Sequence, residues 1–143
     1  MSVKQISVFL ENRPGALLAM TEVLAENQID MRAFSLAETS DFGIARIIAA
    51  DVYNTATVLK DAGFVNSITP VLGVEIPDKP GGLSGVLSVL ADAGVNIEYM
   101  YAFGGRRSGA AYMIFRVADN DKASRALADR GIKQVEAEDL QNL

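Results

Sequence analysis

The chain contains no cysteine and no histidine. Without cysteine there are no disulfides, no thiolate nucleophile and no thiolate metal site. Without histidine the commonest metal ligand and the commonest general base near neutral pH are missing, and Ser–His and Cys–His pairs are excluded. Basic charge is also scarce: 13 Lys and Arg stand against 18 Asp and Glu, a net charge of −5. An acidic chain repels phosphate backbones at long range, and Arg106-Arg107 is too small a basic cluster for a nucleic-acid footprint. No run approaches the ~18 apolar residues that span a membrane, and Met1 to Glu11 lacks the pattern of a signal peptide. The expectation is a cytoplasmic protein, with no membrane or nucleic-acid partner, no cofactor and no enzymatic activity.

What the chain does have is length and apolar content. Its 143 residues, half of them hydrophobic, suit one domain or two of about 70 residues. Internal repetition favours two. Asn12-Arg13-Pro14-Gly15-Ala16-Leu17 returns 66 positions later as Asp78-Lys79-Pro80-Gly81-Gly82-Leu83. The same step carries Leu24 to Leu90, Ile29 to Val95, Asp30 to Asn96, Met31 to Ile97 and Gly43 to Gly109. The register then slips by one or two near Ala118 to Asp121, after which Leu59 and Gly63 match Leu127 and Gly131. A duplication follows, with copies over 1–69 and 70–143.

Both copies read alike. Ile6, Val8 and Leu10, then Leu72, Val74 and Ile76, alternate as half-buried strands do. After the Pro-Gly turn come helical stripes, Leu17-Met20-Val23-Leu24 and Leu83-Val86-Leu87-Leu90. Asn27 and Gly94 mark the helix ends. Second strands run over 30–37 and 96–103, third strands over 43–50 and 109–117. Second helices carry Ala56-Leu59-Ala62 and Ala123-Ala126-Leu127, and last strands begin near Phe64 and Ile132. The fold class is therefore α+β: a ferredoxin-like βαββαβ unit repeated twice, with antiparallel sheets and the helices on one face. Phe9, Phe34, Ala45, Ile47, Tyr99, Tyr101, Tyr112 and Ile114 are candidates for the open sheet face. An apolar face needs cover, so a homodimer is expected.

The Pro-Gly turn carries the functional signal. Asn12 and Asp78 read as helix N-caps, with Pro14 and Pro80 just inside the helix. First-turn N–H groups, aided by the helix dipole, suit a carboxylate. Asp30 and Asn96 open the second strand, expected at the same end of the sheet, where a polar side chain receives an ammonium or amide. The plain alternative is a capped helix start and turn chemistry with nothing bound.

The stretch from Phe9-Leu10-Glu11-Asn12-Arg13-Pro14-Gly15-Ala16-Leu17 through Leu24 to Asp30 resembles the ACT domain. So does Glu75-Ile76-Pro77-Asp78-Lys79-Pro80-Gly81-Gly82-Leu83 through Asn96-Ile97. The resemblance covers essentially the whole chain, twice. It implies a ferredoxin-like unit that pairs with another copy and binds a free amino acid at the pairing interface. By motif, the implied ligand contacts are Asn12, Gly15, Ala16 and Leu17 with Asp30, and Asp78, Gly81, Gly82 and Leu83 with Asn96. Arg13, Pro14, Lys79 and Pro80 complete the candidate set. Asp30 and Asp78 depart from the Asn typical of their positions. A carboxylate there repels a ligand carboxylate and attracts an ammonium, so the two copies need not bind alike.

Two other functions compete. One is a regulatory subunit that acts on a metabolic enzyme by protein contacts without its own ligand, by analogy with the small regulatory subunit of acetolactate synthase. The other is an enzyme on a ferredoxin-like frame, which the missing His and Cys disfavour. Gly104-Gly105-Arg106-Arg107-Ser108 has the residues of a phosphate clamp, but a hairpin loop needs glycine anyway.

Overall fold

The computed structural model describes residues 3–38, 40–103 and 109–142, the last three as backbone only. The Gly104–Ser108 phosphate-clamp reading lies outside the described residues. The elements are β1 (Val3–Glu11), α1 (Ala16–Glu26), β2 (Met31–Glu38), β3 (Phe42–Ala49), α2 (Val52–Asp61) and β4 (Asn66–Pro77). Then follow α3 (Gly82–Asp92), β5 (Ile97–Phe103), β6 (Ala110–Val117), α4 (Asn120–Asp129), β7 (Gln134–Val135) and a 3₁₀ segment, Ala137–Asn142. This is the βαββαβ order twice. The strand expected to begin near Phe64 and the strand of Leu72, Val74 and Ile76 are one continuous strand, β4, which runs through Pro70. Close contacts divide the chain into two compact units, Lys4–Thr69 and the chain from Pro70 onward together with Val3.

In the first copy β3 lies between β2 and β1, antiparallel to both. Ile6, Val8 and Leu10 face Ile47, Ala45 and Gly43 across the ladder. They share a buried core with Met20 and Leu24 of α1 and Leu59 of α2. In the second copy β6 lies between β5 and β4, and β7 pairs β4 at Gly73 and Val74. Leu72, Val74 and Ile76 pack with Phe115, Val86, Leu90, Ala123 and Leu127. The second helices start on matching caps. Asp51 accepts the Asn54 N–H at 3.1 Å, and Asp119 accepts the Lys122 N–H at 3.0 Å.

The ladders correct the repeat alignment. Ile6 faces Ile47, and Leu72 faces Phe115. The step between copies is thus 66 for the first strands but already 68 at β3 and β6. The slip falls in the hairpin loop before β6, not near Ala118 to Asp121. Loops absorb insertions, whereas a strand that slipped by an odd number would turn its core side chains outward. Gly109 therefore corresponds to Asp41 rather than to Gly43. The backbone agrees: Asn12 N–H donates to the Asp41 carbonyl, and Asp78 N–H to that of Gly109.

Open-face assignments change as well. Ala45 and Ile47 lie under the helices, and Phe34, opposite Ile47, shares their face. Tyr99, Tyr101, Tyr112 and Ile114 fall on the other face by register, with Tyr112 and Ile114 already buried. Among the described residues, the exposed large hydrophobics all belong to the first copy: Phe9, Leu18, Met31, Phe34, Leu36, Phe42, Tyr53, Val65 and Ile68.

Candidate functional site

The Pro-Gly segment is a type II β-turn placed before the helix. Ala16 N–H donates to the Arg13 carbonyl at 3.3 Å, with Pro14 and Gly15 between them. Gly15 has φ 85° and ψ −11°, the left-handed conformation that the third residue of a type II turn requires. The second copy repeats it: Gly82 N–H donates to Lys79 O at 3.0 Å, and Gly81 has φ 85° and ψ −8°. The helix caps are thus Gly15 and Gly81, with no side-chain cap bond, and not Asn12 and Asp78. The reason is reach. A capping side chain bonds amides two or three residues on, and α1 begins four residues after Asn12. Pro14 and Pro80 sit in the turn, not in the first helical turn.

The turn still presents donors. The first i→i−4 bonds run from Ala19 to Gly15 and from Gly85 to Gly81. The amides of Leu17 and Leu18, and of Leu83 and Ser84, come before that ladder begins and have no helical acceptor. In the first copy a cavity of about 90 Å³ lies beside the turn, lined by Leu10, Glu11, Asn12, Arg13, Ala16, Leu17, Leu36, Glu38 and Gly43. Arg13 pairs with Glu11 at 2.6 Å. No ordinary ligand fills so small a volume, since ligand pockets run from about 300 to 1,000 Å³.

Asp30 is elsewhere. It lines a separate cavity with Asn27, Gln28, Ile29, Ala49, Asp51 and Asn54, and pairs with Arg32 at 3.6 Å. The ladder fixes the separation. Glu38 and Glu11 flank β3 where it begins, beside Phe42 and Gly43, whereas Met31 faces Ala49 at its far end. Seven strand steps, about 23 Å, part the turn from Asp30. The same-end expectation fails because β1, α1 and β2 alternate in direction, so the helix delivers the chain to the end opposite the turn. Asn96 precedes β5 in the same way.

Sequence reasoning missed a larger cavity, about 400 Å³, in the second copy. Glu75, Ile76, Pro77, Val86, Gly109, Ala110, Gly131, Ile132 and Lys133 line it. The signal available was Glu75, a carboxylate in an alternating strand at the position where the first copy has Phe9.

Comparison with known proteins adds to this geometry. The family model described as an ACT domain pair matches residues 1–143. A solved structure of protein BT0572 from Bacteroides thetaiotaomicron is 40% identical, with a TM-score of 0.93 over 100% of this chain and 98% of that one. The regulatory subunit of aspartate kinase from Thermus thermophilus, in a ligand-free form, superposes with a TM-score of 0.66. The match covers 88% of this chain and 91% of that one at 16% identity. The corresponding subunit from Thermus flavus gives 0.62 at 18% identity, over 88% and 90%. At such identities the likeness is one of fold. No curated protein matches the chain.

Proposed function

The chain belongs to the ACT domain pair family, and from that premise we propose that it is a small non-catalytic regulator that binds a free amino acid. Its two ACT units are 1–69 and 70–143. The ligand carboxylate lies on the amides that precede each helical ladder, Leu17 and Leu18 in one copy and Leu83 and Ser84 in the other, beside Gly15 and Ala16 and beside Gly81 and Gly82. Asn12, Arg13 and Pro14, and Asp78, Lys79 and Pro80, shape the two turns. Asp30 or Asn96 of a neighbouring ACT unit receives the ammonium.

One observation carries the need for a neighbour. Turn and Asp30 stand about 23 Å apart along one strand, and that strand, β2, is an edge of its sheet. An antiparallel pairing of β2 with β2 of a second chain brings the Glu38 end of one strand beside the Met31 end of the other. The turn of one chain then meets the partner's Asp30. Centred on Ser35, the same pairing sets Phe34 against the partner's Leu36. Both are exposed here, 37% and 49%. The 90 Å³ recess beside the turn then gains its missing wall. We therefore propose a homodimer, formed at this edge rather than at the open sheet face.

A thermal-shift screen of the twenty amino acids tests the reading. Ligand at ~100 Kd stabilises by about 2.7 kcal/mol. For a chain of this size that raises Tm by roughly 2–6 °C. Space beside Gly15 and Gly81 is open, so valine at either position projects into the ligand's place while straining a left-handed residue. Gly15→Val with Gly81→Val should remove the shift. A shift that survives both changes overturns the turn as the site. No shift with any amino acid favours a regulatory subunit that acts on a metabolic enzyme through protein contacts.

A further inference from the structure

We propose that the second copy carries a further binding site, between Glu75 and Lys133 rather than on the first-turn amides, for a zwitterion with an apolar side chain. The site is the cavity of about 400 Å³ at the end of β4. It does not rest on the reading of the turns.

Its charge comes from Glu75 and Lys133. Their side chains pair at 3.6 Å, with Glu75 only 13% exposed and Lys133 63% exposed. The backbone holds them in register, since Glu75 N–H donates to the Lys133 carbonyl at 3.0 Å. The remaining side chains are apolar: Ile76, Pro77, Val86, Ala110 and Ile132. Among the described residues β7 covers β4 only at Gly73 and Val74. Pro77 at the strand's end has no N–H to offer an added strand. The opening therefore suits a small molecule better than an extended peptide.

The first copy is an internal control. Phe9 N–H donates to the Val65 carbonyl at 3.0 Å, the bond that corresponds to Glu75 with Lys133. The fold therefore accepts two hydrophobic residues where the second copy has an ion pair. A largely buried carboxylate is costly to desolvate, and an apolar pair in its place is often neutral or stabilising. The frame therefore does not require a charge at this position. Size differs in the same direction. Phe42, Met20 and Phe64 of the first copy become Ala110, Val86 and Ile132, and the recess of about 310 Å³ beside Gly63, Phe64 and Val65 becomes one of about 400 Å³ that reaches Val86 and Ala110.

The ligand's charge follows from the pair. An anion alone would face Glu75, and a cation alone would leave Lys133 without its carboxylate. A zwitterion inserted between them exchanges one ion pair for two: its ammonium on Glu75, its carboxylate on the flexible, exposed Lys133. The apolar walls then take an aliphatic or aromatic side chain.

Amide NMR of the full chain tests this with L-leucine as the probe. Two analogues lack one charge each: 4-methylpentanoate has no ammonium and 3-methylbutylamine has no carboxylate. Leucine should move the Gly109, Gly131 and Lys133 amides to saturation. Each analogue should bind at least roughly tenfold more weakly, as should leucine to Glu75→Gln, the loss expected when a charged hydrogen bond is removed. Ala110→Phe with Val86→Met, which restores the residues of the first copy, should fill the cavity and abolish the change in a folded protein. Unmoved amides at leucine saturation overturn the proposal. So does binding that survives the filled cavity, or analogues that match leucine. Changes confined to Gly15 and Gly81 overturn this site and leave the turn reading standing.

Discussion

Gly82→Ala should be far more damaging than its size suggests. A Cβ built on Gly82 lies 2.1 Å from the Pro77 carbonyl oxygen and 3.2 Å from its carbonyl carbon. Ordinary contact needs about 1 Å more, and both sides are backbone. The Pro77 oxygen cannot swing away freely, because it accepts the Lys79 N–H at 3.0 Å. Gly82 cannot retreat freely either, because its N–H closes the type II turn on Lys79. Overpacking of this kind costs about 1–3 kcal/mol, and a broken turn hydrogen bond adds about 1. Better helix propensity returns at most about 1 kcal/mol. The net expectation is a loss of about 1–3 kcal/mol. The first copy supplies the reference, since Ala16 holds a Cβ at the same step of its turn, where Ala16 N–H reaches Arg13 O at a looser 3.3 Å. Ala16→Gly should cost at most about 1 kcal/mol. Urea unfolding of the two variants measures both. If Gly82→Ala costs no more than Ala16→Gly, the second turn is not the tighter one and the reasoning fails.

Asp51→Ala and Asp119→Ala each remove the side chain that caps α2 or α4, and each should lower stability by about 1 kcal/mol in urea unfolding. Their near-identical cap geometry predicts near-equal losses. Phe34→Ser with Leu36→Ser should shift the protein toward monomer by light scattering, because both side chains are exposed on β2 and meet the partner in the proposed pairing. A dimer of unchanged stability would exclude that edge as the interface.

Much of this was legible because period and punctuation are local. The alternation of Ile6-Val8-Leu10 and the stripe Leu17-Met20-Val23-Leu24 fix their faces without reference to the rest of the chain. The repeat doubled every such signal, and the fold class followed. What failed depended on geometry between elements. Pro-Gly before an apolar stripe suits a helix start, although Pro then Gly at the middle of a four-residue turn is equally the signature of type II. Register across a loop cannot be read from a gapless alignment, so Gly43 was matched to Gly109 when the ladder matches Asp41. The placing of Asp30 beside the turn ignored strand direction. The ends of a small sheet lie further apart than any amino acid can reach, and only the direction of each element says which end a residue occupies.

The two copies also separate what the fold requires from what it merely tolerates. Both keep the type II turn, the Asp cap on the second helix, and a strand irregularity in the same place, between Met31 and Ala33 and between Ile97 and Tyr99. These features hold the βαββαβ frame, and their repetition needs no function beyond it. Where the copies differ, the frame does not decide the residue. Leu18, Phe34, Leu36 and Phe42 of the first copy stand where the second has Ser84, Met100, Ala102 and Ala110. Phe9 and Val65 stand where it has Glu75 and Lys133. The first set spreads apolar surface over one copy, which costs solubility unless something covers it. The second puts a charged pair at the mouth of a cavity, which costs desolvation unless something uses it. The frame requires neither departure, and each suits an occupant. The first calls for another protein surface and the second for a small polar molecule. On the proposed reading, to the turns that both copies carry, the first copy adds a surface for assembly and the second a further ligand site.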